Sequence, residues 1–228
     1  MLLIQGDCLK NMRKVKCVIA DPPDNIGLRY GEYNDKLEIG MYYEWMSRVI
    51  KAGIEHSQLF WLSYHSKHDL EITRMVGFFA GKRTVRKIIW RFTFGQYRES
   101  DLAYGYRPIL RIGDGWVTDK IREESVRMMV GDKRAAGLRV PDDVWDYPRV
   151  VGNSFERVKW HPTQHPVKLY QRMIGMSVAA PTDYVLDMFA GSGTCFRTGY
   201  QNTIGIEIDS GYCEKLISTH FSAPSMIR

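Results

Sequence analysis

The sequence predicts an α/β fold, an open sheet with helices on both faces and one small insertion, and three observations predict it. The run CVIA at 17–20 stops at Asp21 and two prolines; proline fixes φ and forbids helix, so a buried strand ends there in a stiff loop. The segment DYVLDMFAGSGT at 183–194 reads as a buried strand running into a glycine turn, and TIGIEID at 203–209 as the strand that follows. Between such strands the apolar residues fall at helical spacing, as in KLEIGMYYEWMSRVIKAGI at 36–54.

Taken in order, LLIQGD at 2–7 is a short strand, CLKNMRKVK at 8–16 a brief turn or helix, and CVIAD the second strand. QLFWLSYH at 58–65 and RKIIWRFTFG at 86–95 are compact runs of the branched and aromatic residues that suit strands. YRPILRIG at 106–113 adds another, and its Pro108, which has no N–H to give, marks a sheet edge or the strand's beginning. The stretch 113–152 loosens and reads as the insertion, leaving 1–112 and 153–228 as the main domain. After Pro166 the segment HPTQHPVKLYQRMIGMSVA turns helical, and CFRTGY at 195–200 is a short helical stretch behind the glycines.

At 228 residues, 44% apolar and 25% charged, the chain can bury one sizeable core. No apolar run reaches membrane-spanning length, and Asp7 sits where a signal peptide needs its apolar centre, so an intracellular, cytoplasmic protein without membrane partners is expected. The cysteines, at 8, 17, 195 and 213, lack CxxC spacing and are expected as reduced thiols. The histidine pairs 65/68 and 161/165 come without the partners of a zinc site, so no metal is expected. A net charge of +6 favours a polyanionic partner.

Two motifs carry chemistry. Gly191 and Gly193 let a ligand approach the backbone after a strand, and Glu207, ending the next strand, is placed to take both hydroxyls of a ribose. The other is the proline loop DPPD at 21–24. Together DPPD, FAGSGT, IGIEID, DVWDYPRVVG and HPTQHP resemble the amino-group DNA methyltransferases, and the order, proline motif first and glycine motif last, resembles their permuted β group. QGDCL and YRPILRIG extend the resemblance, which runs in fragments from Gly6 to about Ile217.

The resemblance implies a Rossmann-like methyltransferase sheet, S-adenosylmethionine as cofactor, and DNA as partner, methylated on an exocyclic amine of a flipped-out base. Adenine N6 is expected first, because an aspartate opens the proline motif, and cytosine N4 second. Carried over residue by residue, Asp7 would bond the cofactor adenine and Glu207 its ribose. Phe189, Gly191 and Gly193 would line the nucleoside and methionine portion. Thr163 and His165 would close over the methionine end, with Cys8, Asp21 and Asp187 also at the cofactor. The lone pair of an aromatic amine is delocalised into its ring, so the amine needs acceptors that favour a pyramidal nitrogen; Asp21 and the Pro22 carbonyl, stiffened by Pro23, can supply them. A catalytically degenerate nucleic-acid-binding subunit is the competing reading.

Asp24 stands where the family has an aromatic ring that stacks on the extruded base, a contact worth roughly 1–3 kcal/mol. Three accounts fit it. Tyr30 or Tyr33 supplies the ring while Asp24 bonds the base or caps the loop; the acceptor is not plain adenine; or the site is degenerate. His165 also replaces a family lysine. In the insertion, Lys120, Arg122, Lys133, Arg134 and Arg139 are the expected phosphate contacts, and its shortness favours a homodimer on DNA. Arg83, Arg86 and Lys87 are expected to be solvated, and SYHSKH at 63–68 is assigned no role.

Overall fold

The computed structural model describes residues 1–31, 33–96, 99, 101–124, 131 and 137–221. Eight strands form one sheet: β1 (Leu2–Gln5), β2 (Val15–Ala20), β3 (Ser57–Ser63), β4 (Val85–Gln96), β5 (Tyr104–Gly113), β6 (Val144–Asp146), β7 (Val185–Asp187) and β8 (Thr203–Glu207). Their spatial order is β1-β8-β7-β2-β3-β5-β4-β6. All neighbours are parallel except the pairs β3·β5 and β5·β4. The expected α/β class with helices on both faces is what forms.

Strand alternation divides the core in two. Val18 and Ala20 of β2 face one way, with Phe60 and Leu62 of β3, onto α1 (Ile39–Glu55) and α2 (Asp69–Ala80). Cys17, Ile19 and Trp61 face the other way, onto α3 (Val167–Ser177) and Leu216 of α4 (Ser210–His220). Each fully buried large apolar side chain contributes about 1.5–3 kcal/mol. Inside, the indole N–H of Trp61 donates to Ser177 Oγ at 2.7 Å. α1 is capped by Glu38, which accepts from the N–H groups of Gly40 and Met41, and α4 by Asp209, which accepts from Tyr212.

Three expectations need correcting. Pro108 lies within an internal strand, opposite Ile89 of β4, and marks neither the edge nor the start. Its carbonyl, on the side of β3, accepts from Tyr64 just past the last paired residue, Ser63, so the missing N–H falls where β3 has ended. Residues 144–146, expected in the insertion, are the edge strand beside β4, so this part of it is built into the sheet. Asp69–Ala80, unassigned from sequence, is a helix whose Ile72, Val76 and Ala80 are buried.

Because β1, β8, β7, β2 and β3 are parallel, their carboxyl ends meet at one edge. β5 runs the other way, so its first residues arrive at that same edge. This brings Asp7, Asp21, Ser63, Arg107, Gly191 and Glu207 within one region.

Candidate active site

A cavity of about 230 Å³ opens at the carboxyl edge, lined on one side by Asp7, Cys8, Phe189, Gly191 and Glu207 and on the other by Asp21, Pro22, Pro23 and Asp24. The proline loop and the glycine turn emerge side by side because β2 and β7 are neighbours, the N–H of Met188 donating to the Ile19 carbonyl at 2.9 Å. Glu207 is fixed at the wall: Oε2 accepts from Gly191 N at 2.8 Å and Oε1 from Asp209 N at 2.9 Å. Burial raises its pKa. Asp7 Oδ1 accepts from Leu9 N at 2.9 Å. Gly191 has φ +44°, and a Cβ there would lie 2.9 Å from His161 Nε2, so only glycine lets the turn approach so closely. Burial, with the negative charge of Asp7, pushes the Cys8 thiol up to about 12, which makes it an unreactive wall.

Asp21 is held from both sides. Its Oδ1 accepts from Arg107 Nη2 at 2.7 Å and its Oδ2 meets His165 Nδ1 at 2.8 Å. Burial alone would raise its pKa, but the charges and hydrogen bonds of His165 and Arg107 hold it well below the usual carboxylate range. Asp24 is buried and committed elsewhere. Its two oxygens take Arg107 Nη1 at 2.7 Å and Nη2 at 2.9 Å, and Oδ1 also takes His65 N at 3.1 Å. Asp24 therefore closes the loop onto residues far along the chain, not onto the N–H of a following residue. Asp21 and Asp24 share one cation, so repulsion does not force a proton onto Asp21.

Tyr30 and Tyr33 face each other across a two-stranded ribbon, Arg29–Tyr30 with Tyr33–Asn34, and both line the cavity. Tyr30 rests on the ring of His161, 5.6 Å between centroids, and its hydroxyl meets Thr163 Oγ1 at 3.3 Å. Asp35 anchors the loop behind them by accepting from Asn25, Ile26 and Leu28. Thr163 and His165 line the cavity, but His165 spends both ring nitrogens, on Asp21 and on Ser63 Oγ at 3.0 Å, and offers none to a ligand.

Other expected residues do not reach the cavity. Asp187 lies beneath the turn, 1% exposed, accepting from Phe189 N, and burial lifts its pKa to about 7. Gly193, φ +78°, faces α4 instead, where a Cβ would sit 2.5 Å from Leu216. Lys120 donates to the Val178 carbonyl at 2.9 Å, at the end of the sheet opposite the cavity. Arg122 reaches the Leu138 carbonyl and Asp119, and Arg139 pairs with Asp142. Lys133 and Arg134 lie outside the described residues. Arg83, expected in solvent, donates to the carbonyls of Ile54 and Ser57, while the half-exposed Arg86 and Lys87 pair with Asp143 and Asp69.

Sequence reasoning missed Arg107 altogether, although YRPILRIG contains it. It also dismissed SYHSKH, which clamps the proline loop: Ser63 accepts from Arg107 Nε, and His68 Nε2 donates to the Asp24 carbonyl at 2.8 Å while its Nδ1 faces the Tyr43 hydroxyl. Burial lowers the pKa of His68 and takes that of His65 to about 4, so both work as neutral rings. Histidine clusters of this spacing are read from sequence only as ligands or as nothing. Among the described residues no group of carboxylates, histidines and cysteines could hold a metal.

The chain is similar to known proteins in sequence and in fold. A family profile described as DNA methylase, of N6 and N4 methyltransferases, matches residues 15–218. The chain is 27% identical over 268 residues to the DNA adenine methyltransferase YhdJ of Escherichia coli, covering 99% of this chain and 86% of that one. It is 29% identical over 221 residues to the type II methyltransferase M.HpaI of Haemophilus parainfluenzae, covering 90% and 68%. Among solved structures, the fold is similar to that of PvuII DNA methyltransferase (cytosine-N4-specific), with TM-score 0.67, 15% identity and coverage of 99% and 87%. It is also similar to that of an M1.HpyAVI-SAM complex, with TM-score 0.63, 21% identity and coverage of 97% and 99%.

Proposed function

The chain belongs to the DNA methylase family of N6 and N4 amino-methyltransferases, and from that premise we propose that it methylates adenine N6 in DNA with S-adenosylmethionine as donor. The observation that carries the reading is one cavity walled by nucleoside acceptors at one end and by Asp21, Pro22 and Pro23 at the other. Adenine is preferred over cytosine because an aspartate opens the proline motif and because YhdJ, 27% identical over nearly the whole chain, is an adenine methyltransferase.

The wall fits that donor. Gly191 leaves bare the backbone that a side chain would cover. Asp7 and Glu207 keep acceptor capacity beyond the backbone N–H groups they hold, which suits an adenine amine and a pair of ribose hydroxyls, and Phe189 offers an apolar face. The hydroxyls of Thr163 and Ser192, each shared with one protein hydroxyl, of Tyr30 and Thr194 respectively, line the same cavity and keep capacity for the amino-acid end. When bound, S-adenosylmethionine supplies an electrophilic methyl group.

The residues then act on the amine. Asp21 and the Pro22 carbonyl accept its two hydrogens and favour a pyramidal nitrogen whose lone pair is free, while the stiff proline loop fixes its direction. With its proton affinity held low by His165 and Arg107, Asp21 orients the amine without storing its proton. The proton acidified by methylation passes on to water.

Tritium from labelled S-adenosylmethionine, counted in unmethylated duplex DNA, tests the proposal. Asp21→Ala should lower transfer at least about 100-fold and leave donor binding within a few fold. Transfer by that variant at the wild-type rate would end the reading.

A further inference from the structure

Arg107 is committed beyond the single contact with Asp21 that the reaction as described requires. Its Nε donates to Ser63, Nη1 to Asp24 and Nη2 to both Asp21 and Asp24, at 2.7–2.9 Å, so its edge is spent on protein and its plane is fixed. It nonetheless lines two cavities, the one above and a second of about 240 Å³ whose walls include Trp90, Phe92, Tyr104 and Tyr106. With the edge occupied, what a planar group offers a neighbouring space is a face. Guanidinium planes stack on nucleobases as aromatic rings do.

We propose that the guanidinium face of Arg107 is the stacking platform for the extruded base, which enters from the second cavity. The proposal rests on the methyltransferase reading and deepens it. Asp24 then serves to hold that plane flat, and a base lying over it has its amine edge beside Asp21, since Asp21 Oδ1 is 2.7 Å from Nη2. Tyr30 and Tyr33, either of which would supply the missing ring on one account of Asp24, line only the first cavity, where Tyr30 is engaged with Thr163 and His161. Arg149, with its guanidinium 5.2 Å from the Phe92 ring centroid, adds positive charge on the second cavity's wall.

The test is steady-state transfer to unmethylated genomic DNA, with binding of labelled S-adenosylmethionine measured on the same preparations. Arg107→Lys keeps a cation beside Asp21 and Asp24 but removes the plane. It should raise KM for DNA by about 5- to 150-fold, the worth of one stacked base, with donor affinity within twofold. The double variant Asp24→Tyr with Arg107→Leu removes the ion pair and restores a ring, and it should recover KM to within a few fold of wild type.

An unchanged KM in Arg107→Lys, or a double variant no better than Arg107→Leu alone, overturns the platform while leaving the enzyme reading intact. Loss of donor binding in Arg107→Lys also overturns it, assigning Arg107 to holding the loop. A wild-type protein that transfers nothing overturns both.

Discussion

Asp187 shows how a residue can support the site without touching it. Burial, and after it the charge of Asp21, raises its pKa to about 7, against 3.8 for a free aspartate, even though Phe189 N donates to it. A raised folded-state pKa means that the unfolded chain releases this proton first. Its contribution to stability is therefore full below about pH 4 and is lost as pH rises through 7. Asparagine stays neutral throughout, so Asp187→Asn should gain on the wild type between pH 4.5 and pH 8, by at most about 3 kcal/mol. Denaturant unfolding at both pH values reads this, and a constant difference would contradict it. The buried histidines, shifted down, act in the opposite direction but cancel in the difference. Asp21 was legible from sequence because an acid at a strand's end followed by two prolines is a local signal. The ion pair of Asp24 was not, since its partner Arg107 lies 83 residues away and no spacing marks it.

At the scale of elements, the glycine turn and the helix behind it are one construction. Gly193 adopts φ +78°, and an added Cβ would meet Leu216 at 2.5 Å and His220 at 2.9 Å, both in α4. Gly193→Ala should cost about 1–3 kcal/mol, read as a lower denaturation midpoint; Gly191→Ala should chiefly weaken donor binding, because the turn there faces His161 and the cavity. Wild-type stability in the first variant would show that the turn can shift. The strands β2, β7 and β8 were readable because buried parallel strands are continuous apolar runs. α2 was not: its buried Ile72, Val76 and Ala80 are accompanied by Leu70 and Phe78, about four-fifths exposed, which blur the helical stripe. Pro108 misled because the rule it follows concerns a missing N–H. That N–H is unneeded here since β3 stops one residue short, a fact about register between strands far apart in sequence.

The whole molecule is a basic sheet protein, net charge +6, whose chemistry collects at one edge. DNA binding should weaken steeply with salt, as expected when phosphates release counterions; affinity measured between 50 and 200 mM salt reads it, and a flat response would point away from a polyanion. The recognition surface was the least legible part. Within the described residues of the 113–152 stretch, Lys120, Arg122 and Arg139 are tied to carbonyls and acids while Arg149 lies over the Phe92 ring, so charge counted along the chain did not show which side chains are free to meet phosphate. The most direct measurement is mass spectrometry of nucleosides from DNA of cells carrying the wild-type chain or its Asp21→Ala variant. N6-methyldeoxyadenosine with the wild type and its absence with the variant is the predicted result. Unmodified DNA from both, with S-adenosylmethionine bound by the purified wild-type protein, would contradict transfer at this edge.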